Sequence, residues 1–271
     1  MRRNGNLVLG SVLVAFVVLA ALVSFAWTPY DPVQVNVPDR LLGFSGEHLF
    51  GTDKFGRDVF SQILVGARTT LYVGVVAVAI AAVLGTPLGV LAAMAPRWLG
   101  ELVMRANDLV LAFPALLLAI MFGAVFGADT LTAMVAIGIA TIPSFARIAR
   151  SGALQVTSSE YVLAARAGGR SRTQIATRHV LPNISGLLIV QSSVSFAIAV
   201  LAEAALSFLG FGTRPPTPSW GRMLQESQEL LTAHPRLALV PGIAIAVAVL
   251  GFNLLGDGLR DRLDPRLAAR V

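Results

Sequence analysis

Charge is unevenly spread along this chain. Six stretches contain no Asp, Glu, Lys or Arg: Asn4–Tyr30, Thr69–Pro96, Leu109–Ala128, Thr130–Ala146, His179–Ala202 and Leu237–Gly256. A helix crossing a bilayer needs about 20 mainly apolar residues, so the pattern predicts six transmembrane helices and an all-α, polytopic membrane protein. The fourth stretch is short, but it borders Gly127-Ala128-Asp129-Thr130, which reads as a tight turn. The fifth extends past a single acid, Glu203, to about Phe211.

The first stretch has a competing reading. Arg2 and Arg3 before an apolar run resemble a signal peptide, with Ser24-Phe25-Ala26 as a weak small-x-small site. The run from Leu7 to Trp27 exceeds a signal core of about 7–15 residues, and Trp27 and Tyr30 suit an interfacial anchor. A retained helix is therefore expected. Small residues in the second stretch, Gly85, Gly89 and Ala92-Ala93, suit close helix packing.

Between the stretches lie three polar segments: Asp31–Arg68, Arg147–Arg178 and Gly212–Arg236. With six spans and an inside N-terminus, inner segments carry 14 Lys and Arg residues and outer segments 7. That bias predicts both termini in the cytoplasm and the 147–178 segment beside them. The expected layout is a first helix and outer loop over 1–70, a helical body over 71–260 containing a cytoplasmic loop at 150–183, and a tail at 261–271.

The inner loop carries the most local information. Thr157 with Glu160, and Ser171 with Gln174, have the spacing of capping boxes. Gly168-Gly169 stops the first helix, and Pro182 disfavours helix at Leu181, so the second helix should end near there. The expectation is a helix–turn–helix hairpin across the cytoplasmic face. Ala164 and Ala165 would let a partner backbone approach, and Arg166, Arg170, Arg172 and Arg178 would meet acidic headgroups or an acidic groove. Helix physics leaves a second reading open, in which the loop merely joins two spans and Glu160 is a cap.

Composition agrees with the spans. The chain has 271 residues, 55% hydrophobic and 13% charged, with a mean hydropathy of +0.74. A soluble domain carries about 25% charged residues, so the bilayer must solvate much of this chain. The net charge of +6 would suggest nucleic acid for a soluble protein; basic cytoplasmic loops account for it here, and no nucleic-acid partner is expected. There is no cysteine, which excludes thiol catalysis, disulfides and Cys metal sites. His48, His179 and His234 lack ligand spacing, so no metal site is expected. No Gly-x-x-x-x-Gly-Lys-[Ser/Thr] loop occurs; any ATP would be bound by another polypeptide, and no cofactor is expected in this chain.

Two further constellations have bland and sharp readings. Asp53 with Arg57, and Lys54 with Asp58, are four apart and would pair on one amphipathic outer helix; loop architecture outweighs a catalytic cluster. Glu203 is the one acid well inside an apolar region. Such acids usually face a bundle interior or a water-filled path, so it is a candidate translocation-path residue or a structural contact between helices. An ion-driven secondary transporter would need paired intramembrane charges or matching broken helices, and an intramembrane enzyme would need converging catalytic groups. Neither is evident.

The 160–183 segment resembles the signature loop of permease subunits of ABC-type importers: Glu-Ala-Ala, three residues, Gly, nine residues, Ile-x-Leu-Pro. Ala164, Ala165, Gly169, Leu181 and Pro182 fall in register, while Leu163 replaces the Glu and His179 the Ile. Glu160-Tyr161-Val162 and Arg178-His179-Val180-Leu181-Pro182-Asn183 are similar to the dipeptide and oligopeptide "C" type members, as are Gly51–Ser61, Glu203–Gly212 with Pro215–Gly221, and Asp257–Pro265. The resemblance implies a type I importer (MetI-like) permease fold and a site made of Glu160, Ala164, Ala165, Gly168, Gly169, His179, Leu181 and Pro182 that docks onto the motor. It also implies the partners: a homologous second permease, two ATPase subunits that bind ATP, an extracytoplasmic substrate-binding protein, the lipid bilayer and a peptide substrate. Nickel chelates, glutathione or another small solute are the alternative cargo.

Overall fold

The computed structural model describes residues 2–263, with side chains from Gly5 onward. The tail residues 264–271, including Asp264, Pro265, Arg266 and Arg270, lie outside the described residues. Among the described residues ten α-helices follow one another: α1 (Arg2–Ala26), α2 (Val59–Met94), α3 (Arg97–Ala112), α4 (Ala115–Phe126), α5 (Thr130–Thr157), α6 (Glu160–Ala167), α7 (Arg172–Ile175), α8 (Leu181–Phe208), α9 (Trp220–Ser227) and α10 (Arg236–Leu263). Among the described residues there is no strand, only an isolated bridge between Thr52 and Asp58.

Five helical segments are long and apolar enough to cross a bilayer: Gly5–Ala26, Val59–Met94, Thr130–Thr157, Arg172–Phe208 and Arg236–Leu263. The sixth expected span is broken. α3 and α4 meet at a bend of 81°, so the stretch expected to run straight from Leu109 to Ala128 turns at Phe113-Pro114. Pro114 has no amide hydrogen, and its ring disfavours helical geometry at the residue before it; Phe113 is accordingly extended. α4 has 12 residues, only about 18 Å of helix. α3 instead lies across the bundle end, burying Gly100, Met104 and Asn107 and exposing Trp98, Leu102 and Leu109.

Small residues set the core. A methyl at Gly89 would fall on the Ala146 carbonyl, and one at Gly85 would strike Ile142 O and Phe145 Cβ, so α2 and α5 pack backbone to backbone, as the small-residue stripe predicts. α1 docks on α10 the same way: Gly10 meets the Leu254–Leu255 backbone, and Gly258 meets Leu7. Thus α1 is an integral packing element of the bundle. Phe196 stacks on Phe252 at 3.9 Å, tying α8 to α10.

The bundle has two dissimilar ends. One carries the 158–180 hairpin and α3. The other is capped by loop 27–58, α9 and the starts of α2 and α10. There Trp220 Nε1 donates to Ile63 O at 3.0 Å, and Arg68 donates to Ser24 O while its guanidinium stacks on Phe25.

Candidate functional site

The hairpin begins where α5 ends, eleven residues beyond the limit at Ala146 set by the apolar stretch. The first capping box does not form. Thr157 is still the last residue of α5, so its hydroxyl bonds back to Leu154 O at 3.2 Å, the local competition open to Thr inside a helix. Ser159 takes the N-cap position of α6 without a side-chain cap bond. Glu160 is an exposed first-turn acid, favourable to the helix dipole but not a cap.

The rest of the turn forms as its residues dictate. Gly169 has φ +80°, with Gly169 N–H donating to Arg166 O and Arg170 N–H to Ala165 O; this is a Schellman close. The second capping box is complete, Gln174 N to Ser171 Oγ at 3.2 Å and Ser171 N to Gln174 Oε1 at 3.1 Å.

Pro182 does not end the second helix. Arg172–Phe208 is one continuous 37-residue helical segment, in which Ala176–Val180 forms a π turn and Pro182 sits in the first turn of α8. Leu181 N–H reaches back five residues to Ala176 O. A wide turn houses the proline because the amide it lacks is not required at the usual four-residue reach.

Three side chains pin the hairpin to the bundle. Val162, Ile175 and Val180 are buried in a cluster with Val90, Ala149, Ala153 and Ile184. The opposite face is open. Glu160, Tyr161, Leu163, Ala164, Gly168, Gly169 and Pro182 are exposed, while Ala165, His179 and Leu181 are half-buried. His179 lies 6.0 Å from the Tyr161 ring, so the root and the first helix of the hairpin meet there. Leu163, at the motif position where Glu is expected, is 51% exposed. Among the described residues Arg166, Arg170, Arg172 and Arg178 form no ion pair.

Glu203 sits elsewhere. It is 22 residues beyond Leu181 on α8, roughly 33 Å along the helix, toward the capped end. It is 1% exposed; its Oε1 accepts from Ser207 Oγ at 2.7 Å and Thr213 Oγ1 at 3.4 Å.

The capped end holds a charged network that sequence spacing only half anticipates. Asp53 and Arg57 pair at 2.6 Å, but on a tight loop and not on a helix. Lys54 reaches Glu229 at 3.4 Å, and Asp58 instead caps α2 through Ser61 N and bonds His48 at 2.9 Å. The correction has a local cause: Gly56, at φ +78°, bends the segment so that positions four apart no longer share a helix face. Arg57 also bonds Glu226, which pairs with Arg222 at 2.8 Å. Nothing in the sequence spacing links Arg57 to Glu226, 169 positions away. Asp129 N-caps α5 by accepting from Thr132 N at 2.7 Å, and that amide is the chief reason its carboxyl titrates below the usual range. No group of three or more metal-ligating side chains occurs among the described residues.

Residues 85–269 match the family described as binding-protein-dependent transport system inner membrane component. The chain is 41% identical over 267 residues to the dipeptide transport system permease protein DppC of Alkalihalophilus pseudofirmus, covering 98% of this chain and 88% of that one. It is 40% identical over 257 residues to the glutathione transport system permease protein GsiD of Pectobacterium atrosepticum, covering 93% and 85%. Among solved structures, an inward-facing MetNI methionine ABC transporter aligns with a TM-score of 0.64 at 17% identity, over 75% of this chain and 96% of that one. That likeness is one of fold.

Proposed function

This chain belongs to the binding-protein-dependent transport system inner membrane components, and from that premise we propose that it carries di- or oligopeptides and couples to its ATPases through the 150–183 hairpin. It is a permease subunit of an ABC importer with a MetI-like fold, working with ATPase subunits. The finer assembly we propose is a homologous second permease completing the path, two ATPases that bind the ATP, and an extracytoplasmic binding protein delivering substrate to the capped end. Both termini lie in the cytoplasm in this reading, supported by the 14-to-7 distribution of Lys and Arg.

One observation carries the coupling reading. The hairpin is rooted in the same helix as a span, yet it exposes small and apolar residues beside four arginines that form no ion pair among the described residues. Leu163 and Tyr161 are 51% and 49% exposed beside these arginines, a mixed surface that suits a protein partner. ATP-driven motion of the motor would then move α8 directly, provided the hairpin interacts differently with two motor states.

The test is labelled-dipeptide uptake by the assembled transporter in proteoliposomes. Ala164→Trp, Ala165→Trp and Gly169→Val are expected to insert and assemble normally and to abolish uptake; full uptake by all three would sink the coupling site. Glutathione is the second reading for the cargo, favoured by the relative named for it; competition between the two labelled substrates separates them. Glu203 enters as a path residue, supported by its position as a buried acid among hydroxyls. Normal uptake by Glu203→Gln at normal protein levels would remove a direct charge role.

A further inference from the structure

The buried stripe on the second half of the hairpin has an irregular spacing. Ile175, Val180 and Ile184 are 1%, 0% and 1% exposed and pack in one cluster against Val90, Ala149 and Ala153. Val180 and Ile184 are four apart, as one face of an α-helix requires. Ile175 and Val180 are five apart, and in an α-helix they would diverge by about 140°. They share a face because the segment between them is the Ala176–Val180 π turn, closed by Leu181 N–H to Ala176 O. A π turn behaves as one extra residue within an α-helix.

Two features hold the turn. Pro182 cannot supply the amide that an α-helix would direct at Arg178 O, and its ring would crowd that carbonyl. Side chains also occupy carbonyls around the turn: Thr177 Oγ1 donates to Thr173 O at 2.9 Å, and Asn183 Nδ2 to His179 O at 2.6 Å. The same turn brings His179 to the Tyr161 ring of α6.

We propose that Pro182 is a positioning residue: by enforcing the π turn it sets the rotational phase of the coupling hairpin relative to span α8. This rests on the hairpin being the coupling site. With the turn wound as α-helix, everything N-terminal to Ala176 would rotate by roughly one residue's worth, about 100°, relative to α8. Ile175 would leave its pocket, and the face carrying Leu163 and Ala164 would no longer be presented to the same side. The proline therefore fixes which face the motor meets.

The experiment removes the proline and then removes the extra residue. Pro182→Ala, deletion of Thr177, and the two together are made in the full transporter. Thr177 is exposed, and its deletion leaves Ile175 and Val180 four apart. Uptake per ATP hydrolysed is expected to fall roughly tenfold in each single variant, a usual size for a coupling change, at unchanged membrane abundance. The combined variant restores the α-helical spacing and is expected to recover to within about threefold of the original chain.

Phase is read separately. The chain has no cysteine, so spin labels at Gln155→Cys and Arg170→Cys, both exposed sites, report the hairpin's placement on α5 when the partner subunits are also cysteine-free. The inter-label distance should shift in Pro182→Ala and return in the combined variant. An unshifted distance in Pro182→Ala overturns the proposal, and so does failure of the deletion to restore it. A shifted and restored distance with unchanged uptake leaves Pro182 as the phase-setting residue and instead sinks the coupling reading of the hairpin.

Discussion

The two ends of this bundle satisfy their charges in opposite ways. At the capped end the charged groups answer one another within the chain: Arg57 lies between Asp53 and Glu226, Glu226 also holds Arg222, Asp58 holds His48 and the start of α2, and Arg236 donates to Phe50 O and Thr52 O. The side chains of Arg57, Asp53 and Glu226 are only 11%, 13% and 16% exposed. At the hairpin end the pairs Arg97–Glu101 and Arg147–Asp108 lie in the open, the four arginines of the hairpin itself form no ion pair among the described residues, and its apolar contacts are limited to one pinned face. An end whose polar groups are internally satisfied contributes to stability. An end whose polar groups face outward is shaped for something not in this chain. Mutations should therefore separate: stability lost at the cap, coupling lost at the hairpin.

Arg57→Ala tests the first half most severely. It leaves Asp53 and Glu226 as largely buried acids without their shared cation, which costs about 3–5 kcal/mol when a buried pair is broken. The thermal midpoint of the purified protein in detergent should drop markedly. Adding Asp53→Asn should recover part of the loss, because Glu226 keeps Arg222 and Asp53 then no longer carries an unpaired charge. A midpoint within a degree or so of the original would mean that the cap is not the stabilising end.

Gly169→Val tests the other half with a smaller stability effect. A side chain at φ +80° strains the backbone by about 1–2 kcal/mol, but space at the site is open, so the fold should persist. Uptake should nevertheless be lost. Equal retention of uptake and stability would erase the contrast between the two ends.

Asp129→Ala returns to the cap at about 1 kcal/mol, the usual worth of a helix N-cap. The carboxyl titrates lower in the folded chain than in the unfolded one, first because of the Thr132 amide. Its contribution is thus present above the unfolded value, about 3.9, and is lost as pH falls through the lower folded value. The midpoints of the original and variant chains should differ at pH 7 and converge as the pH drops toward 3. A difference that persists undiminished there would assign the effect to something other than this carboxylate.

The same contrast explains what could be read from the sequence. The apolar stretches locate the membrane helices well because lipid solvation leaves a strong compositional mark, and the Gly168-Gly169 turn and Ser171–Gln174 box are legible because their partners are three to five residues apart. Two prolines show the limit. Pro114 breaks its helix by 81°, whereas Pro182 is absorbed into a 37-residue helical segment. The local chemistry is the same. The difference lies in the packing of Ile175, Val180 and Ile184 on α5, which rewards continuation through a π turn; nothing comparable spans Phe113. Thr157 failed as a cap because packing carried α5 eleven residues past its apolar stretch. The Arg57–Glu226 pair is hidden because tertiary structure alone joins positions 169 residues apart.

The finest division between the two ends comes from the hairpin arginines themselves. Replacing Arg166, Arg170, Arg172 and Arg178 by Gln removes four positive charges that form no ion pair among the described residues, so each should alter stability by no more than about 0.5 kcal/mol. Arg166 should show the largest of these small effects. It sits in the last turn of α6, where a cation interacts favourably with the helix dipole at the low end of about 0.3–1 kcal/mol for an exposed site, less at high salt. Function should respond out of proportion. Exposed arginines without ion pairs beside an apolar patch are suited to an acidic partner surface, and loss of such rim charges slows association and weakens its salt dependence more than it changes the contacts once made. Stimulation of ATP hydrolysis by the assembled transporter should therefore decline in the fourfold variant and become less sensitive to ionic strength, while its midpoint stays near the original. A fourfold variant that melts early but transports normally would reverse the assignment, making the hairpin the stabilising end and leaving the motor to dock elsewhere.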